Sequence, residues 1–187
     1  MPRVLILYGT TDGHTAKIAS AMADALRAEG SAVETRDAGH LAGDVRPEEY
    51  DEVIVAASIH AQGYQRAVTR WVRRHAAALN ERPTAFISVC LAVLEDRPEV
   101  REDLRRIKER FFARTGWHPM LSEHVAGALP YSRYGWVKKW IIKRIVAKAG
   151  GDTDTTRDYE YTDWDALRGF VRAFAARGEV ALADRMT

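Results

Sequence analysis

An apolar run, Val4-Leu5-Ile6-Leu7-Tyr8, passes directly into Gly9-Thr10-Thr11-Asp12-Gly13-His14-Thr15, and apolar residues at helical spacing, Ile18, Ala19, Met22 and Leu26, follow at once. A loop of glycine and hydroxyl residues therefore sits between a buried strand and a helix N-terminus. The first N–H groups of a helix lack internal partners, and its dipole places partial positive charge there, so this arrangement suits a phosphate. Thr10, Thr11 and Thr15 add hydroxyl donors, and Gly13 allows close approach of the backbone. Asp12 opposes an anion unless its carboxylate turns away, in which case it can serve as the helix cap. The loop ends Gly13-His14-Thr15 without a lysine, which argues against a nucleoside-triphosphatase loop. No glycine falls between Gly9 and Gly13, which argues against a dinucleotide fingerprint. Taken alone, the loop is equally an ordinary strand–helix turn rich in threonine.

The rest of the chain supplies context. Ala32-Val33-Glu34-Thr35 reads as a second strand after Gly30. Val53-Ile54-Val55-Ala56-Ala57 is a continuous apolar run, as in a parallel strand covered on both faces. It ends in the loop Ser58 to Tyr64, and Ala67, Val68, Trp71, Val72, His75 and Leu79 then predict one helix. Pro83 opens a strand reaching Leu91; Val100, Leu104, Ile107 and Phe111 form a helical stripe ended by Gly116 and Pro119. A fifth strand spans Glu123 to Leu129, and a last helix runs from about Asp163 to Ala176 with Thr162 or Asp163 as its cap. Five strands alternating with helices predict an α/β fold, a doubly wound parallel sheet with right-handed crossovers. Ligands in such sheets bind beyond the strand carboxyl ends. The phosphate loop, the Ser58 loop and the segment Ser88 to Ala92 all lie there. Residues 1–187 are read as one domain, with an insertion over 130–161 before the last helix.

Charge is distributed unevenly. Trp136 to Ala149 holds five basic residues and no acid; with a chain net charge of +2, the remainder is net acidic. No apolar run reaches the length of a membrane span, and Cys90 is the single cysteine, so a reducing, cytoplasmic setting is expected. The six histidines show no metal-ligand spacing, and no metal is expected. Ser58 stands where a receiver domain needs its acceptor aspartate, and no Gly-x-Ser-x-Gly is present, against an α/β-hydrolase. Nucleic acid is not an expected partner.

Thr10-Thr11-Asp12-Gly13-His14-Thr15 resembles the FMN phosphate loop of flavodoxins, and the loops at Ser58-Ile59-His60 and Ser88-Val89-Cys90-Leu91 fall where flavodoxins hold the isoalloxazine ring. Ala57-Ser58-Ile59 followed by Tyr64, Ala85-Phe86 before Ser88-Val89, Ala126-Gly127-Ala128-Leu129, Gly150-Gly151-Asp152-Thr153-Asp154-Thr155 and Tyr161-Thr162-Asp163-Trp164 resemble, more narrowly, the menaquinone-dependent protoporphyrinogen IX dehydrogenases. The last two motifs are the most specific, since plain flavodoxins lack them. The resemblance covers nearly the whole chain. Cys90 stands where a polar residue such as asparagine is expected.

The resemblance implies an FMN-dependent oxidoreductase of heme biosynthesis that takes electrons from protoporphyrinogen IX and passes them to menaquinone or another quinone. Thr10, Thr11, Asp12, Gly13, His14 and Thr15 are then expected at the phosphate, with Asp152 and Thr153 also near the cofactor. Ser58, Ile59, His60 and Tyr64 would flank one face of the ring, and Ser88, Val89, Cys90 and Leu91 its edge or other face. No catalytic acid or base is assigned; His60 is a candidate proton carrier, and equally a loop histidine facing solvent. An NAD(P)H:quinone reductase and an electron-carrier flavodoxin remain alternatives, and a homo-oligomer is compatible with the sequence. Trp136 to Lys148, with Val137, Ile141 and Ile145 on one helical stripe, is expected to lie on an anionic membrane surface, which would make the protein a peripheral one. The competing reading packs that helix on its own domain.

Overall fold

A computed structural model describes residues 1–60, 62–129 and 158–186. Five strands form one parallel sheet: β1 (Arg3–Gly9), β2 (Ala32–Asp37), β3 (Glu52–Ser58), β4 (Thr84–Val89) and β5 (Leu121–Val125), in the spatial order β2-β1-β3-β4-β5. The order reverses at β1, so the carboxyl ends of β1 and β3 face the gap where ligands of doubly wound sheets bind. Among the described residues five α-helices accompany the sheet: α1 (His14–Ala28), α2 (Arg66–Arg74), α3 (Ala76–Asn80), α4 (Pro98–Thr115) and α5 (Trp164–Met186).

Alternation along each strand divides the core in two. Val4 and Ile6 of β1, Ile54 and Ala56 of β3, and Ala85 and Ile87 of β4 pack against α1 and α5 through Ile18, Met22, Leu26, Val171 and Phe174. Their neighbours Leu5, Leu7, Val53, Val55 and Phe86 pack the other way, against Val68, Trp71 and Phe111 of α2 and α4. Period-two side-chain direction in a sheet covered on both faces requires this division. On the second face Trp117 is fully buried, and its indole N–H donates to Thr84 Oγ1 at 3.0 Å.

Several elements differ from the sequence reading: β4, for one, ends at Val89 rather than Leu91, and Leu91–Leu94 forms a 3-10 turn. The helix expected over Ala67 to Leu79 is two helices. His75 leaves helical geometry at φ −109°, ψ 15°, with its ring 5.0 Å from that of Trp71 and its Nε2 3.6 Å from Asp44 Oδ1. The fifth strand ends at Val125 rather than Leu129. The Ala126 and Gly127 carbonyls accept from the Thr162 hydroxyl and the Tyr161 N–H, so the returning chain takes the bonds that a sheet neighbour would have made. Ala128–Leu129 then forms β6, paired antiparallel with β7 (Tyr159–Glu160). Finally, α5 continues ten residues past Ala176, to Met186. The apolar stripe ends earlier, but the sequence beyond it is rich in helix formers and free of proline. Asp163, not Thr162, caps this helix, its Oδ1 accepting from the Ala166 N–H at 2.9 Å. Among the described residues no helix is long and apolar enough to cross a membrane.

β5 carries a histidine that resists protonation. His124 Nδ1 is buried with no hydrogen-bond partner among the described residues. Burial, then the charge of Lys108, pushes the imidazole down to about 4. The unfolded chain therefore takes up a proton that the fold refuses, and stability is full above the unfolded value of 6.5 and falls as pH drops towards about 4. Allowing for screening of a half-buried group, lowering the pH from about 6.5 to about 5 should cost roughly 1 kcal/mol through this residue. Urea unfolding at both pH values should show a shallower dependence for His124→Gln than for the native chain.

Candidate functional site

The site begins where β1 stops. A Cβ at Gly9 would lie 2.5 Å from Val68 Cγ2 and 3.0 Å from Gln65 Oε1, so α2 packs on bare backbone here. The chain then curls: Thr10 Oγ1 accepts from the Gly13 N–H at 2.9 Å, and Gly13 takes the left-handed conformation, φ 90°, ψ −12°. α1 starts at the next residue. Its N-cap position makes no side-chain hydrogen bond and its first turn holds no acid. The N-cap position is thus a left-handed glycine rather than Asp12, and the first turn of α1 faces the loop. Thr15, only 2% exposed, lies just inside the helix.

Three loops meet above the sheet around a cavity of about 140 Å³. The phosphate loop contributes Thr10, Asp12, His14 and Thr15; the β3 loop Ser58, Ile59 and His60; the β4 loop Val89, Cys90 and Leu91. Gly127 and Ala128 close the far side. Main-chain bonds fix the loops to one another: the Ile59 N–H donates to Val89 O at 2.9 Å, and the Cys90 N–H to Val125 O at 3.0 Å. His60 and Gly63 exchange both backbone bonds, with Gln62 between them at φ 62°. Gln65 Nε2 donates to Ser58 Oγ and so ties α2 to the β3 loop.

The expected residues fall into groups. The cavity gathers those just named, and Thr11 and Gly13 continue the same loop. Tyr64 and Ser88 lie elsewhere. The Tyr64 hydroxyl donates to Ser88 Oγ at 2.8 Å, Ser88 is fully buried, and the Tyr64 ring packs edge-on to Phe86 and Phe111. Ser88 alternates with Val89 along β4 and faces the opposite layer, so a loop expected to act as a unit is split by strand geometry. Asp152, Thr153 and the stretch Trp136 to Lys148 lie outside the described residues.

A clamp that the sequence reading did not assign to the site holds α1 in place. His14 Nε2 lies 2.7 Å from Thr162 Oγ1, which itself donates to Ala126 O at 2.7 Å. The threonine proton is thus committed, so His14 must donate through Nε2–H. Its Nδ1 lies 3.9 Å from Glu160 Oε2. Burial, only partly offset by Glu160, lowers the His14 pKa, which favours the neutral ring. Beside it Lys17 Nζ lies 2.6 Å from Glu160 Oε2, and Trp164 Nε1 donates to Glu160 Oε1 at 3.0 Å. The Lys17 bond leads in holding the Glu160 carboxyl below its usual range. The signal was Tyr161-Thr162-Asp163-Trp164, in which the sequence shows Thr162 only as an alternative cap of the last helix.

The cleft can hold an anion at the α1 terminus and a flat group between the β3 and β4 loops. Burial pushes the Cys90 thiol up, so Cys90 acts there as an apolar wall rather than a nucleophile.

Replacing Thr162 by valine should cost about 1–3 kcal/mol, because both the Ala126 carbonyl and the His14 N–H lose their partner. Chemical denaturation of His14→Ala, Thr162→Val and the double variant should give a sum smaller than the two single losses together.

Comparison with known proteins agrees with this fold. A flavodoxin-domain family profile matches residues 5–156. The chain is 36% identical over 174 residues to the protoporphyrinogen IX dehydrogenase (quinone) of Escherichia coli strain K12, covering 92% of this chain and 94% of that one. It is 34% identical over 181 residues to the Leishmania major protein of the same name, covering 94% of this chain and 75% of that one. Oxidised flavodoxin 1 from Bacillus cereus superposes with a TM-score of 0.55 at 14% identity, over 93% of this chain and 97% of that one, a likeness of fold. The chain belongs to the flavodoxin-domain family and, within it, to the quinone-dependent protoporphyrinogen IX dehydrogenases.

Proposed function

We propose that this chain oxidises protoporphyrinogen IX to protoporphyrin IX, with FMN held in the three-loop cleft and a quinone as electron acceptor. The observation that carries the reading is identity of 36% spanning nearly the full length of both chains, together with a cleft whose donors suit a flavin monophosphate. The fit rests on the left-handed Gly13, the α1 terminus without a side-chain cap, and the buried Thr15 that lines the cavity. First-turn N–H groups and the Thr15 hydroxyl hold the phosphate. Ser58, Ile59 and His60 on one side and Val89, Cys90 and Leu91 on the other orient the ring and exclude water. When bound, FMN supplies the acceptance and release of electron pairs; the chain supplies position and electrostatics.

His14 takes no proton from substrate in this scheme, since its Nε2–H is committed to Thr162. His60 is exposed at the rim of the cleft, and we assign it the passage of protons between substrate and solvent. Asp152 and Thr153 remain candidates for cofactor contact. Trp136 to Lys148 remains the candidate for attachment to an anionic membrane, which would bring the cleft to a lipid-dissolved quinone without a transmembrane segment.

Reconstitution with FMN followed by anaerobic assay should give porphyrin fluorescence in the presence of a quinone and negligible oxidation of NADPH. The reverse pattern would favour a nicotinamide-dependent quinone reductase. Thr15→Ala should weaken FMN by about 1–3 kcal/mol in a fluorescence titration, and an unchanged affinity would remove Thr15 from the site. Vesicle co-sedimentation should require anionic lipid and weaken with salt; equal binding to neutral vesicles, or none to either, would defeat the membrane assignment.

A further inference from the structure

Between α2 and α4 runs a second cavity, of about 360 Å³, whose lining includes Arg66, Arg70, Arg73, Arg110 and Arg114 and no acid. These five side chains are exposed, and none makes an ion pair among the described residues. The same helices carry arginines that do: Arg74 pairs with Asp44, Arg101 with Asp96, and Arg105 and Arg106 with Glu102. Acids, from α4 itself or from neighbouring loops, thus reach other arginines of both helices and are absent from this groove. Spacing of three and four residues puts Arg66, Arg70 and Arg73 on one face of α2, and Arg110 and Arg114 on one face of α4. Like charges at that spacing destabilise a helix, and Arg66 sits in the first turn of α2, where the dipole disfavours a cation. A surface that accumulates uncompensated positive charge against these local costs is suited to an anion.

The floor of the groove is aromatic. Tyr64 and Phe111 line it, their ring centroids 4.9 Å apart, and Ile107 lies beside them. A concave cationic rim over an apolar floor fits a discrete molecule with an apolar body and a pair of carboxylates, rather than the flat face of a lipid leaflet. Its position is informative too. Gln62 and Gly63 line the groove and His60 lines the flavin cleft, so the turn closed by the His60–Gly63 bonds is the wall shared by both. A molecule anchored in the groove by its acidic side chains would have only that turn between it and the cleft.

We propose that this groove is the subsite for the propionate carboxylates of the porphyrinogen substrate, an assignment that rests on the function proposed above. Guanidinium forks suit carboxylates geometrically, and several charges acting on one ligand hold it better than an isolated surface pair.

The test uses the FMN-loaded full chain and the variants Arg70→Gln, Arg110→Gln and their combination. KM for protoporphyrinogen IX should rise about tenfold per arginine, with kcat held within about twofold. The Kd for protoporphyrin IX, read by its fluorescence on apoprotein and holoprotein, should rise in parallel, and Arg→Lys should restore part of it. Protoporphyrin IX dimethyl ester, whose propionates carry no charge, should bind native chain and variants alike. Unchanged KM and Kd in the double variant would overturn the assignment, as would equal weakening of free acid and ester. If the native chain binds porphyrin through these arginines yet does not oxidise porphyrinogen, the subsite stands and the proposed activity falls. A native chain that neither binds nor oxidises overturns both.

Discussion

A parallel sheet buried on both faces is the constraint from which this protein's chemistry follows. Because helices must cover each side, every strand hands the chain to its helix at the same edge, and the loops leaving β1, β3 and β4 are forced together there. The core then fixes their spacing. Leu5 and Leu7 look one way and Val4 and Ile6 the other, so no strand can slip by one residue without exposing a whole layer. The cleft inherits its precision from that register, and the loops add only a few cross-bonds of their own.

The second support comes from the far end of the chain. Thr162 reaches the Ala126 carbonyl and the His14 ring at once, joining the exit of β5, the entry to α5 and the first residue of α1. Lys17, Glu160 and Trp164 repeat the connection one turn along. Residues of the Tyr161-Thr162-Asp163-Trp164 stretch thus stand as buttresses behind the Gly9-to-Thr15 loop.

The sheet, its strand number and the three converging loops were legible in the sequence, because apolar runs such as Val53 to Ala57 and the Gly9-to-Thr15 transition are local signals. What escaped was tertiary. The break at His75 depends on Trp71 and Asp44, and the early end of β5 on carbonyls claimed by residues about 35 positions away. The Tyr64–Ser88 bond lies on the layer opposite to the cavity, which strand parity explains but loop proximity in sequence had obscured. The arginine groove shows as periodicity on two helices only once those helices are known to pack together. Asp12 looked like a cap by residue type, yet a left-handed glycine starts the helix.

That glycine start has a bearing on the life of the protein before it works. An α1 terminus that starts on a left-handed glycine leaves room for an anion to approach its first-turn donors. A ligand that binds only the native state stabilises it by mass action, by about 2.7 kcal/mol at a hundredfold excess over its Kd. Newly made chain would then persist in proportion to cofactor supply, because the empty form opens more often and is more readily cleared by proteases. Abundance of the enzyme would then follow flavin availability.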